Sequence, residues 1–81
     1  MTATWAARAV HEFAENLSRL MEQRGVSKAV LARRLDSSPS YVSKVLRGNT
    51  NFTIESMIRL TRALDGKLSI HVRHSENHTR V

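Results

Sequence analysis

Apolar residues fall in short stripes along this chain, separated by polar punctuation, and the period of the stripes changes once, near the end. Val10, Phe13, Leu17, Leu20 and Met21 recur at steps of three and four, the spacing of one core-facing side of a helix. That helix is expected to run from a cap at or near Thr4 to about Arg24, where Gly25 stops it in a left-handed conformation. Ser27 then caps a second helix, with Val26 before the cap and Leu31 inside it placed as a hydrophobic staple. Its apolar side carries Val30, Leu31 and Leu35, small Ala29 and Ala32 leave room for a close neighbour, and it ends at Leu35-Asp36.

The next stretch, Asp36-Ser37-Ser38-Pro39-Ser40, has the composition of a linker, yet Ser38 and Pro39 are start signals. Serine is a preferred N-cap, and proline suits the first helical position because its missing N–H would be unpaired there anyway. A third helix is expected from Pro39 to Arg47, with Val42, Val45 and Leu46 inward and Gly48 as its stop. Phe52 and Met57 bracket Thr53 as a second staple and cap, opening a fourth helix from Ile54 to about Leu64. Ile54, Met57, Ile58 and Leu64 form its apolar side, and Gly66 is its expected stop.

From Leu68 the period falls to two: Leu68, Ile70 and Val72 alternate with Ser69, His71 and Arg73, as in a strand. A lone strand needs a partner for its backbone groups, and the sequence offers no second one. A second copy of the chain is the expected supplier, which makes residues 67–73 a dimerisation element built on Leu68, Ile70 and Val72. Residues 74–81 read as a flexible polar tail. The predicted fold is therefore all-α, with four to five helices over residues 1–66 and one short C-terminal β-strand.

Size and composition narrow the function. An 81-residue chain makes one domain that buries only about 60 % of its unfolded surface, little room for a catalytic pocket with lids. There is no cysteine, hence no disulfide framework and no thiolate metal site, which suits a reducing cytoplasm. Met1-Thr2-Ala3-Thr4-Trp5 lacks a basic leader before an apolar run, and the longest apolar run, Ala29 to Ala32, cannot span a membrane. No Gly-x-Ser-x-Gly, phosphate-cradling glycine loop or paired carboxylate occurs outside solvent-facing helix positions, so neither an enzyme nor a cofactor is expected.

His71 and His74 would point to opposite faces of a strand, and with His78 beyond them no metal site is expected. Thirteen Lys and Arg against seven Asp and Glu give a net charge of +6, which attracts polyanions. Two Phe, one Tyr and one Trp offer no stacking platform for single-stranded RNA. Glu12, Glu15 and Glu22 on the polar side of the first helix count against an anionic membrane surface. Double-stranded DNA and an acidic protein remain as polyanionic partners.

Two short helices meeting across Asp36-Ser37-Ser38 make a helix-turn-helix, over residues 27–48, with the second helix projecting steeply. In DNA-binding versions that second helix enters the major groove, which admits one α-helix. Leu31 and Ala32, Leu35, then Val42, Val45 and Leu46 give a pattern that resembles the Cro/cI-type, or XRE-type, helix-turn-helix regulators. The continuation Gly48-Asn49-Thr50-Asn51-Phe52-Thr53-Ile54 is similar to that family's link into its fourth helix, and the resemblance covers about residues 10 to 65. The family's turn usually carries Gly where this chain has Asp36, a residue that tolerates the left-handed conformation better than most.

The resemblance implies a phage-repressor-like DNA-binding domain, with Pro39, Ser40, Tyr41, Ser43 and Lys44 reading base edges. Ser27, Lys28, Ser38, Arg47, Asn49, Asn51 and Thr53 flank them as phosphate contacts, helped by free N–H groups at the helix starts. Residues 27–53 hold five basic side chains and one acid, so the positive excess gathers around this motif. The function implied is a cytoplasmic, homodimeric transcriptional repressor on a roughly palindromic operator, of the kind carried by phages and mobile elements. A second reading is the antitoxin of a two-gene module, which binds a toxin protein as well as its own operator; the strand-then-tail ending is similar to that of some antitoxins of this fold.

Overall fold

A computed structural model describes residues 2–48 and 51–72, with side chains from Ala7 onward. Four helices follow one another: α1 (Thr2–Arg24), α2 (Lys28–Arg34), α3 (Pro39–Leu46) and α4 (Ile54–Arg62). The last three start on a hydroxyl that accepts from a backbone N–H three residues on. Ser27 accepts from Val30 at 3.2 Å, Ser38 from Tyr41 at 3.2 Å and Thr53 from Ser56 at 3.0 Å. The expected cap near Thr4 is not where α1 begins, because the helix is already under way at Thr2. Ala3, Ala6, Ala7 and Ala9 surround that position, and alanine is the best helix former, so nothing there interrupts the helix.

Each helix stops on a residue in the left-handed region: Gly25 (φ 67°), Asp36 (φ 56°), Gly48 (φ 72°) and Asp65 (φ 59°). Around three of them the same paired bonds close the end, as in the Schellman motif. Val26 donates to Met21 and Gly25 to Glu22; Ser37 donates to Ala32 and Asp36 to Arg33; Gly66 donates to Thr61 and Asp65 to Arg62. Asp65 therefore takes the left-handed role expected of Gly66, which corrects that expectation. Gly66 follows the bend, where a Cβ would lie 2.6 Å from Cδ2 of Leu20 and 3.1 Å from Cγ2 of Thr61. Its need is for space, not for a positive φ.

The turn at Asp36 gives a direct test of backbone strain. Left-handed geometry costs an L-residue about 1–2 kcal/mol, with Asp at the low end. Asp36→Gly is expected to raise the urea midpoint slightly, since relief of strain is partly offset by a looser unfolded chain. Asp36→Val should lower stability by about 1–2 kcal/mol at unchanged denaturant slope, because a β-branched residue fits that region worst.

Leu17 and Met21 of α1, Leu31, Ala32 and Leu35 of α2 and its cap, Val42 and Val45 of α3, and Leu60 and Leu64 build the core. Phe13 and Phe52 close one side edge-to-face, with ring centroids 5.1 Å apart. The expected inner side of α4 needs correction: Ile54 and Ile58 are 52 % and 38 % exposed, whereas Leu60, Thr61 and Leu64 are buried. Burying Thr61 is tolerable because its hydroxyl donates to the Met57 carbonyl at 2.7 Å.

Three arginines tie the helix ends to one another. Arg59 of α4 donates to the Leu35 carbonyl at the end of α2 at 3.1 Å, and Arg34 of α2 donates to the Ala63 carbonyl at the end of α4 at 2.7 Å. Arg24, closing α1, donates to the Asp65 carbonyl at 3.1 Å. All three answer carbonyls that a helix end leaves unpaired, at the negative pole of the helix dipole.

Residues 66–72 carry no helix, and no strand is found among the described residues. The alternation of Leu68, Ile70 and Val72 describes side chains, while a strand is defined by a paired neighbour, which a single chain with one such segment lacks. Leu68 is half-buried, Ile70 is exposed, and Val72 is 97 % exposed. The expected tail, with His74 and His78, lies outside the described residues.

Candidate nucleic-acid interface

Everything that fixes α3 lies on one of its sides. Val42 and Val45 are fully buried, and keeping both in the core fixes which face of the helix turns inward. Ala32 of α2 is small and buried, which lets α2 and α3 pack closely. The turn between them runs over residues 35–38, fixed by the Schellman bonds at Asp36 and Ser37 and then by the Ser38 cap. Pro39 follows as the first helical residue.

Turning the buried stripe inward turns another outward. Pro39, Ser40, Lys44 and Arg47 are exposed, and positions 40, 44 and 47 follow the i, i+4, i+7 line of one helix face. That face offers a hydroxyl, an ammonium and a guanidinium, the donor set suited to guanine edges and phosphate oxygens. Ser43 is half-buried beside it.

Tyr41 sits apart from this stripe. It is half-buried, packs against the core, and lines a cavity of about 290 Å³ with Asp36, Ser37, Ser56 and Arg59. The remaining predicted contacts gather at helix starts and loops. Ser27 and Lys28 are exposed at the start of α2, Ser38 at the start of α3, and Asn51 and Thr53 before α4. The Thr53 hydroxyl also donates to Oγ of Ser56 at 3.1 Å. Asn49 lies outside the described residues.

Two features of this region were not legible in the sequence. The Arg59–Leu35 bond fixes the carbonyl end of α2 from another helix, and no local signal in α2 announces it. His11 of α1 lies over Gly48, at the end of α3, 37 positions away in the chain. No group of three or more His, Cys, Asp or Glu side chains able to hold a metal ion occurs among the described residues. Among the same residues no helix is long and apolar enough to cross a membrane.

Comparison with known proteins agrees with this geometry. Residues 17–70, which are 54 of the 81, match the family model described as helix-turn-helix, of the XRE type. No curated protein matches the chain.

Proposed function

The chain belongs to the XRE-type helix-turn-helix family of DNA-binding transcription regulators, and on that premise we propose that it is a dimeric, sequence-specific repressor. It acts in the cytoplasm on a roughly palindromic operator over its own promoter. The observation that carries this reading is the two-sided build of α3: Val42 and Val45 are fully buried, and Ser40, Lys44 and Arg47 are displayed along the opposite side.

Pro39, Ser40, Ser43 and Lys44 read base edges in the major groove, and Tyr41 packs against a thymine methyl at the rim of the helix. Ser27, Lys28, Ser38, Arg47, Asn49, Asn51 and Thr53 hold the phosphate backbone and fix the register of α3 on the duplex. Leu68, Ile70 and Val72 pair with the same residues of a second copy, which is consistent with the exposure of Ile70 and Val72. Two α3 helices about one turn of DNA apart, roughly 34 Å, then meet the two halves of the operator.

A mobility-shift assay on the DNA directly upstream of its gene tests the reading. The expected result is a retarded complex that protects an inverted repeat with half-sites about one helical turn apart. Equal affinity for random-sequence duplex would exclude a sequence-specific repressor. The antitoxin reading has one supporting observation: Ile54, Ile58, Ile70 and Val72 are the exposed large hydrophobic residues among those described, and apolar surface of this kind suits a protein partner. Co-purification with the product of an adjacent gene would favour it.

A further inference from the structure

α1 begins well ahead of the stretch that matches the family, which starts at residue 17. Two side chains of that leading part seat the chain leaving α3. His11 lies on Gly48, where an added Cβ would stand 3.4 Å from Nδ1, 3.5 Å from Cε1 and 3.6 Å from Cγ of the ring. Phe13, two residues on, meets Phe52 edge-to-face. Gly48 and Phe52 thus both lie against α1, and Phe52 stands between the proposed phosphate contacts Asn51 and Thr53. Gly48 adopts φ 72°, so a larger residue there would be strained by its backbone, while its Cβ would meet the ring at ordinary contact distance.

His11 is nonetheless exposed. Its ring lies beside the residue that directly follows Arg47, one of the exposed cations of α3, and at the carbonyl end of that helix, where positive charge is favoured. The charged groups around it by position are Arg8, Glu12 and Glu15 on α1, and Lys44 and Arg47 on α3. The described residues of the following loop, 51–53, carry none.

We propose that His11 extends the DNA-contacting surface onto α1, adding one protonation-dependent phosphate contact per subunit at the end of α3. The proposal rests on the DNA-binding reading and goes beyond it, because the contact comes from outside the matched stretch. A protonated imidazole brings a positive charge and a second N–H donor to a phosphate, so this contact strengthens as pH falls. It would make operator affinity respond to acidification.

The experiment measures operator affinity against salt concentration at about pH 6 and about pH 8, the span across which histidine ordinarily changes charge. The wild-type salt slope is expected to be steeper at the lower pH, by at most about 1.8 for a dimer, about 0.9 per added phosphate contact. His11→Gln should show the shallower slope at both pH values, and His11→Lys the steeper slope at both. The chain has four histidines, so a control replaces His71, His74 and His78 together by Gln; it should keep the wild-type difference.

A pH difference that survives in His11→Gln, or vanishes in the triple control, would overturn the proposal. Binding with the same slope at both pH values in the wild type would also overturn it, while leaving the DNA-binding reading intact. A wild-type chain that binds no DNA at either pH would remove both.

Discussion

Leu31→Ala is expected to destabilise the domain by about 2–5 kcal/mol, the range for truncating a buried leucine. Leu31 is fully buried in the cluster that joins α2 to α1, α3 and α4. Val26, on the other side of the Ser27 cap, packs against the same cluster, so the cavity opens where α2 is anchored. A chain of 81 residues has a total stability of roughly 4–12 kcal/mol, so this one change removes a large share of it. The melting temperature should fall by about 4–8 °C for each kcal/mol of destabilisation. Leu31→Met, which keeps most of the volume, is expected to cost less than about 1.5 kcal/mol. Urea denaturation of the two variants side by side checks the claim, and a loss below about 1 kcal/mol in Leu31→Ala would show that α2 can collapse into the space.

The same residues explain why much of this fold could be read from the sequence. Helix starts at Ser27, Ser38 and Thr53 are set within four residues, since a hydroxyl and the N–H it accepts lie in one turn. Stops at Gly25 and Gly48 are equally local. What escaped the sequence depends on neighbours distant along the chain. Asp65 takes the left-handed position, and Gly66 is instead held against Leu20 and Thr61, which leave it no room for a side chain. The rotation of α4 follows from burying Leu60 and Thr61, the latter possible only once its hydroxyl turns back to Met57. The arginine bonds between α2 and α4 join residues 24 and 29 positions apart, and arginine on a helix surface carries no sign of its acceptor.

The candidate interface divides in the same way. Ser40, Lys44 and Arg47 were predictable because a helix with Val42 and Val45 inward must turn those positions outward. Tyr41 was harder, since its neighbours in the cavity include Ser56 and Arg59 of α4, and their place depends on how α4 crosses the turn. Residues 68–72 form no strand among the described residues: a ladder needs a paired second strand, and the alternation of one segment does not supply it.

Raising salt from about 50 to about 200 mM should lower operator affinity by roughly 10²–10³-fold, and the size of that loss tests which side chains hold phosphate. Lys28 and Arg47 are the cations proposed for the backbone, and Lys44 reaches either a guanine edge or a phosphate. The proposed dimer would neutralise roughly four to six phosphates, and at about 0.9 per phosphate the expected logarithmic slope is roughly −4 to −5. Arg47→Gln removes one cation from each subunit, so its slope should be flatter by about 1.8, with affinity lowered alike on operator and random duplex. Lys28→Gln should behave in the same way. Ser40→Ala has no charge to lose and should leave the slope unchanged while relaxing preference at single base pairs, by about 1–3 kcal/mol for each base-edge hydrogen bond removed. The two classes of variant separate backbone from base contacts on one instrument, a titration repeated at several salt concentrations. If Arg47→Gln altered base preference and kept the wild-type slope, Arg47 would belong with the base-reading residues of α3.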